Sequence, residues 1–139
     1  MNSNVLGIGH VAYTTARMDE MLNFYCDLLG FENSFCISDE SGKPWIQYVR
    51  IKDCQFLELF YANEGFEPKE GTYAHLCIQV SDLLSMEKLL KDNKLEVFWG
   101  PKQGGDKNWQ CWSKDPDGNL IEFMQIDPES PQARAARGL

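Results

Sequence analysis

The sequence predicts an α+β fold made of two tandem modules, each a strand, a helix and three further strands. The same order of strand-like and helical segments occurs in both halves of the 139 residues. The chain has two histidines, and each lies in the first strand-like run of its half. Glu58 follows His10, and Glu122 follows His75, at nearly equal spacing, in the last apolar run of each half. These observations place the modules at 5–61 and 73–126.

The first module begins with a predicted strand over 5–14, which is rich in Val, Ile and Tyr. Thr15 is the expected N-cap of the next helix, whose apolar residues recur at helical spacing up to Leu29. Gly30 suits the left-handed position after a helix. A tight Lys52-Asp53 turn separates the last two strands. The three strands after the helix are predicted at 31–38, 45–51 and 55–61.

The second module repeats this order, beginning with a predicted strand over 73–80. Ser81 or Asp82 is the expected helix N-cap, and Asn93 is expected to take the part of Gly30 at the helix end. The sequence Asp-Pro-Asp-Gly-Asn (115–119) provides strong turn chemistry between the last two strands. The strands after the helix are predicted at about 95–99, 109–114 and 119–126.

A single module leaves one face of its sheet uncovered, so neither half is expected to be stable alone. We therefore predict one domain over 1–127, in which pairing of the two modules closes the structure. The polar stretch 62–72, with its glycines and proline, is the predicted linker. The tail 128–139 has no core pattern and is expected to be mobile.

The charge and hydropathy of the chain argue against nucleic-acid binding and against a membrane protein. The net charge of −8 argues against a nucleic-acid-binding protein and against a polybasic membrane anchor. No apolar run is long enough to cross a bilayer, and the first residues lack the features of a signal peptide. The five cysteines are odd in number and scattered, which favours reduced thiols. We expect a cytoplasmic protein.

Strand alternation predicts where the two His and Glu pairs point. Leu57 and Leu59 share one face of their strand, so Glu58 lies on the other. Glu122 likewise opposes Ile121 and Phe123. The glutamates should therefore face away from the helices. The first and last strands of a module should be neighbours if the sheet is to hold each His and Glu within reach of one ion. Two imidazoles and two carboxylates suit a divalent transition metal, while hydrogen-bonded histidines and solvent-facing glutamates are the simpler alternative.

Five stretches carry a resemblance to a known family. They are Gly-His-Val-Ala-Tyr, Asn-Phe-Tyr-Cys-Asp-Leu-Leu-Gly-Phe, Phe-Leu-Glu-Leu-Phe, Ala-His-Leu-Cys-Ile-Gln-Val-Ser-Asp and Asp-Pro-Asp-Gly-Asn-Leu-Ile-Glu-Phe. Together they resemble the vicinal-oxygen-chelate superfamily, which includes glyoxalase I, bleomycin-resistance proteins and extradiol dioxygenases. The resemblance implies paired βαβββ modules that form a curved sheet enclosing a metal and substrate cavity. It also implies that His10, Glu58, His75 and Glu122 are the four metal ligands.

The ligand set is most similar to that of glyoxalase I, which implies a metal-dependent isomerase or lyase that moves a proton through an enediolate. By this resemblance Glu122 is the catalytic base and Glu58 lies on the opposite side of the metal. The implied cofactor is a divalent ion, with Ni or Co preferred and Zn or Fe as alternatives. The implied partners are a small-molecule substrate and a second copy in a homodimer.

The residues that hold glutathione in glyoxalase I are poorly matched. Thr14 stands where that enzyme has an arginine, and Ala62 stands where it has an asparagine, with Asn63 one position later. The substrate therefore stays open. One alternative function is an Fe(II)-dependent extradiol-type dioxygenase, although Glu58 would fill a position that oxygen needs. The other is a metal-free, resistance-type protein that binds small molecules.

Overall fold

The computed structural model describes residues 4–69 and 71–138. The chain divides into two compact units between Glu70 and Gly71, inside the predicted linker. Each unit contains one four-stranded mixed sheet, and their elements follow the predicted tandem βαβββ order. The α+β class and the tandem βαβββ order are therefore confirmed, whereas a curved sheet that encloses a cavity stays a prediction. The single domain over 1–127 stays a prediction.

The first unit holds its sheet in the order β1-β4-β3-β2, with β1 parallel to β4 and the other pairs antiparallel. The first and last strands are thus neighbours, as predicted. The helix α1 continues directly into a π-helical segment, and Gly30 follows at a φ of 76°. The elements are β1 (His10–Thr15), α1 (Met18–Leu22), the π-helix (Asn23–Leu28), β2 (Glu32–Ser38), β3 (Pro44–Lys52) and β4 (Gln55–Tyr61).

The helical segment packs on one face of this sheet because its apolar side chains meet every second residue of the central strands. These buried side chains are Met18, Met21, Phe24, Tyr25, Val49, Leu57 and Leu59. Thr15 is the last residue of β1 rather than the helix N-cap, which corrects the sequence prediction. Its hydroxyl nevertheless accepts a hydrogen bond from the Arg17 N–H (2.9 Å), so it satisfies a backbone donor in the connection.

The second unit repeats this arrangement, with the sheet order β5-β8-β7-β6 and β5 parallel to β8. Asp82 is the N-cap of α2, and its carboxylate accepts a hydrogen bond from the Ser85 N–H (3.1 Å). The elements are β5 (Leu76–Gln79), α2 (Leu83–Asp92), β6 (Trp99–Gln103), β7 (Trp109–Lys114), β8 (Leu120–Gln125) and α3 (Pro131–Ala136).

Several predicted boundaries were wrong. The strand expected over 5–14 begins only at His10, and the one expected at about 95–99 instead covers Trp99–Gln103. Asn93 does not take the part of Gly30, because its φ is −95° and Lys94 adopts the left-handed conformation instead. In both segments apolar residues lie outside the strand and are exposed, among them Leu6, Ile8 and Phe98, so an apolar pattern alone could not fix the ends.

The tail lacks a core pattern but forms the short helix α3. Ser130 is its N-cap, accepting a hydrogen bond from the Ala133 N–H (3.1 Å), and Pro131 follows at the first helical position. Gln132 accepts a hydrogen bond from the side-chain amide of buried Asn108 (3.0 Å). The predicted mobility of 128–139 stays a prediction. None of the helices in the described part of the chain has the length and apolarity that a membrane crossing requires.

Candidate functional site

Each unit brings its histidine and its glutamate together on the sheet face that points away from the helix. His10 Nδ1 lies 3.3 Å from a Glu58 carboxylate oxygen in the first unit. His75 Nε2 lies 3.0 Å from a Glu122 carboxylate oxygen in the second. Both glutamates are buried at 7% exposure, whereas both histidines are exposed. Each unit thus holds a buried carboxylate beneath an accessible imidazole.

The register of the first sheet accounts for the first pair. Ala12 lies opposite Glu58 across β1 and β4, and His10 lies opposite Phe56. Alternation therefore puts His10 and Glu58 on one face, while Leu57 and Leu59 are fully buried on the other. Burial of both flanking leucines fixes the orientation of the strand, because a one-residue slip would expose them.

Tyr48 is a further member of this site that the sequence did not single out. It lies opposite Glu58 across β3 and β4. The hydrogen bond from its hydroxyl to the Glu58 carboxylate is the main reason that the pKa of Tyr48 is raised. Sequence alternation did not reveal it, because both faces of β3 carry aromatic or apolar residues. Arg50, on the same face as Tyr48, is paired with Glu32.

The second pair depends on a segment that precedes its strand. His75 lies just before β5, and the Tyr73 hydroxyl donates a hydrogen bond to the Leu120 carbonyl (3.0 Å), which ties this segment to β8. The His75 ring meets the Trp112 ring edge-on at 4.6 Å between centroids. Trp112 lies opposite Glu122 across β7 and β8 and so corresponds to Tyr48 of the first unit.

Cys77 lies on the other side of Glu122, across β5 and β8, where the first unit has Ala12. Burial, the charge of Glu122 and a hydrogen bond to that carboxylate raise the pKa of Cys77 to about 12. The thiol is therefore neutral at pH 7, and it donates to the carboxylate instead of competing with it as an anion.

The turn before β8 is held by one buried side chain. The carboxylate of Asp115 accepts hydrogen bonds from the backbone N–H groups of Asp117 (3.0 Å) and Asn119 (2.9 Å). It also accepts one from the Asn119 side-chain amide (2.8 Å). Because β8 begins at Leu120, this turn determines where Glu122 enters the sheet.

The donor chemistry of the two pairs fits a metal ion. Two atoms bound to one ion at about 2.0–2.1 Å lie roughly 2.8–3.4 Å apart for angles between 90° and the tetrahedral value. The His10–Glu58 distance of 3.3 Å and the His75–Glu122 distance of 3.0 Å lie within this range. Within residues 4–69 and 71–138, no group of three or more His, Cys, Asp or Glu side chains is arranged to hold a metal.

Comparison with protein-family models decides the family. Residues 7–123 match the model of the glyoxalase/bleomycin resistance protein/dioxygenase superfamily. The chain belongs to this superfamily. The matched residues include both His and Glu pairs. The resemblance seen in the sequence is thereby confirmed, and members of this superfamily often bind divalent metals.

Several solved protein structures resemble this chain. The trypanothione-dependent glyoxalase I of Leishmania major has a TM-score of 0.79 at 19% identity, over 96% of both chains. An antibiotic-binding protein from Streptomyces sp. CB03234 has a TM-score of 0.72 at 20% identity, over 88% of this chain and 98% of the other. An integron cassette protein from V. cholerae has a TM-score of 0.64 at 26% identity, over 88% and 97%. No curated protein sequence matches the chain. The two likenesses below 25% identity show the shared fold alone.

Proposed function

We propose that this superfamily member is a metal-dependent isomerase of the glyoxalase I type. One observation carries the proposal, namely that the same pair, a buried carboxylate beneath an exposed imidazole, occurs in both units. Each carboxylate already has protein partners, but an imidazole nitrogen and a carboxylate oxygen at equivalent positions of both units are donor types that divalent transition metals accept. The duplication of this donor pair is therefore the basis for proposing a metal ion.

The proposed metal ligands are His10, Glu58, His75 and Glu122. Two imidazole nitrogens and two carboxylate oxygens suit Ni²⁺ or Co²⁺, and they are also compatible with Zn²⁺ or Fe²⁺. Such an ion, when bound, supplies a Lewis acid that stabilises negative charge developing on substrate oxygens. In each unit the residue opposite the glutamate, Tyr48 or Trp112, contacts one member of the pair and helps to fix its orientation.

Glu122 is the proposed base. A proton on carbon next to a carbonyl group is removed by a carboxylate held within hydrogen-bond reach, and it is then returned to the neighbouring carbon. Glu122 is held from two sides, because His75 lies 3.0 Å away and the Cys77 thiol donates to its carboxylate. Glu58 is the proposed second carboxylate, with the Tyr48 hydroxyl as its donor.

Metal titration tests the ligand set. Isothermal titration calorimetry with Ni²⁺ and Co²⁺ should give binding to the native chain and at least a ten- to hundred-fold weaker affinity for both His10→Ala and His75→Ala. Glu40→Gln is the matched control, because Glu40 is an exposed carboxylate in a turn of the first unit. Metal affinity that is unchanged in either histidine variant would contradict the proposed ligand set.

Isomerisation of a hemithioacetal tests the reaction. The Ni²⁺- or Co²⁺-loaded protein should convert a hemithioacetal to the hydroxyacyl thioester, and Glu122→Gln should lower kcat by about 10²- to 10⁴-fold. Because glutamine still offers an oxygen ligand, metal content must be measured on the same sample. A Glu122→Gln variant that keeps both its metal and its full kcat would exclude Glu122 as the base.

We also propose a homodimer, and complementation tests whether its metal sites draw on two chains. If each metal site takes one histidine from each chain, a mixed dimer of His10→Ala and His75→Ala chains contains one site with both histidines intact. Mixing the two inactive variants should then restore part of the activity. If each site is completed within one chain, every site in the mixture lacks a histidine and no activity returns. Sedimentation of the native protein as a monomer would contradict the dimer.

Binding without catalysis is the second candidate, because the antibiotic-binding protein from Streptomyces shares this fold. Absence of isomerase activity in a protein that still binds small molecules would favour it. Iron-dependent oxygen uptake with a catechol would instead favour the dioxygenase alternative.

A further inference from the structure

The first unit contains a cavity of about 440 Å³ that neither His–Glu pair occupies. This volume lies within the range of small-molecule sites. The cavity is formed at the ends of β1 and β4 and by the loop that follows β4. It is lined by Thr14, Trp45, Phe60, Tyr61, Ala62, Asn63, Glu64, Gly65 and Phe66.

The cavity lies at the ends of the strands that carry the first His–Glu pair, and its lining includes residues from both faces of the sheet. Thr14 lies opposite Phe60, one step of strand alternation beyond the Ala12–Glu58 position. Two residues along a strand span about 7 Å, so the wall residue Phe60 lies about 7 Å along β4 from Glu58. The cavity is therefore placed to hold a remote part of a substrate whose reacting end reaches the proposed metal ligands.

Aromatic side chains provide its walls. The Trp45 ring meets the Phe60 ring edge-on, at 5.9 Å between centroids and an interplanar angle of 83°. Phe66 is brought to the cavity by a turn in which its N–H donates to the Asn63 carbonyl (3.2 Å) and Gly65 adopts a φ of 79°. Trp45 is 48% exposed, so much of its ring is free to contact a ligand.

The charge of the lining favours a cation. Its one carboxylate is that of Glu64, and the lining contains no Lys, Arg or His. Glu64 forms no ion pair with any residue that the structure describes. The chain as a whole has a net charge of −8, which raises the local concentration of cations over anions. Aromatic rings attract an ammonium group through their negatively polarised faces.

We propose that this cavity binds an aromatic group that carries a protonated amine, with the ring against Trp45 and Phe60 and the ammonium beside Glu64. This deepens the proposed function by naming the substrate class, and as a statement about substrate it rests on that function. The binding itself needs no metal.

A matched series of three indole ligands tests the proposal. Tryptamine, tryptophol and indole-3-acetate share one ring and carry a cationic, a neutral and an anionic side chain. Each is titrated into the ¹⁵N-labelled, metal-free protein while amide and indole N–H resonances are followed by NMR. The Trp45 indole resonance is identified by its absence in Trp45→Phe.

Tryptamine should bind most tightly and indole-3-acetate most weakly, and the Trp45 indole resonance should shift on titration. Glu64→Gln should weaken tryptamine binding about two- to five-fold, the range for exposed ion pairs, and should leave tryptophol binding unchanged. Glu40→Gln, which removes the same charge outside the cavity, should change neither. Trp45→Ala should weaken all three ligands, and circular dichroism checks that each variant is folded.

Three results would overturn the proposal: no binding of tryptamine, indole-3-acetate binding at least as tightly as tryptamine, or equal effects of Glu64→Gln and Glu40→Gln. Because the titration uses metal-free protein, its outcome does not depend on the metal site. Tryptamine binding by a protein that fails to bind Ni²⁺ or Co²⁺ would refute the isomerase and leave this cavity assignment standing. Binding of Ni²⁺ or Co²⁺ by a protein that fails to bind tryptamine would refute the cavity assignment and leave the proposed metal site standing.

Discussion

Replacing Asp115 with alanine should destabilise the chain strongly, because this carboxylate satisfies several donors in a poorly solvated turn. Asp115 is 5% exposed and accepts two backbone N–H groups and one side-chain amide, at 2.8–3.0 Å. Asp39 is its natural comparison in the first unit. It also accepts three hydrogen bonds, from Ser41 N–H (2.8 Å), Ser41 hydroxyl (2.7 Å) and Lys43 N–H (3.0 Å), but it is exposed.

The magnitude follows from the number of donors left without a partner. Asp115→Ala removes the acceptor for two partly buried backbone N–H groups, each of which costs roughly 1–3 kcal/mol when unsatisfied. Because water can reach part of the turn, we expect a loss of about 2–4 kcal/mol, a large share of the roughly 5–15 kcal/mol that stabilises a typical domain. At the exposed Asp39 turn water replaces the lost carboxylate, so Asp39→Ala should cost much less.

Urea denaturation of the native chain and both variants measures this difference. Asp115→Asn keeps one acceptor oxygen and should recover part of the loss. Metal affinity should also fall in Asp115→Ala, because Glu122 follows this turn in β8. A loss below about 1 kcal/mol for Asp115→Ala, set against the 1–3 kcal/mol expected per unsatisfied donor, would refute the reasoning. So would an equal or larger loss for Asp39→Ala.

Three further changes test other parts of the fold. Burial raises the pKa of the Cys111 thiol to about 11, well above that of an ordinary thiol, so the folded state favours the neutral form. Stability should therefore fall between pH 9 and 11 by about 1–3 kcal/mol more in the native chain than in Cys111→Ala, as measured by urea denaturation at each pH. Gly100→Ala should lower the melting temperature far more than Gly30→Ala. Both glycines have positive φ, but a Cβ at Gly100 would lie 2.2 Å from a strand carbonyl oxygen, whereas the space at Gly30 is open. Ser130→Ala, which removes the cap of α3, should cost about 1 kcal/mol in the same denaturation assay.

For each of these three substitutions, one result would contradict the predicted effect. Parallel pH profiles for the native chain and Cys111→Ala would show that this thiol is not the responsible group. Equal melting temperatures for the two glycine variants would mean that the close approach at Gly100 relaxes without cost. For the cap, Ser81→Ala is the control, because Ser81 is exposed and Asp82 caps α2. Equal losses in Ser81→Ala and Ser130→Ala would remove the capping argument.

Much of the site could be predicted from the sequence because strand alternation has a strict period. Burial of Leu57 and Leu59 forces Glu58 to the opposite face, and Ile121 and Phe123 do the same for Glu122. The expected pairing of the first and last strands followed from the need to bring each histidine near its glutamate, and both sheets have it. These arguments need only local pattern and duplication.

The sequence did not predict which side chains lie next to the Glu58 and Glu122 carboxylates. Tyr48 and Trp112 reach the pairs through the registers of β3 with β4 and of β7 with β8. Register shifts also interrupt the pairing of β2 with β3 and of β6 with β7, and no local sequence pattern predicts these shifts. A shift of one residue would have turned a different set of side chains toward the site.

The sequence by itself determined the duplicated order of elements, the buried face of each strand and the two His–Glu pairs, because all three depend on spacing along the chain. The tertiary structure decided what surrounds those pairs. It supplied the hydrogen bond from Tyr48, the neutral thiol of Cys77 beside Glu122 and the cavity walled by Trp45 and Phe60. These features join residues from different strands and loops, so they exist only once long-range pairing has set the register.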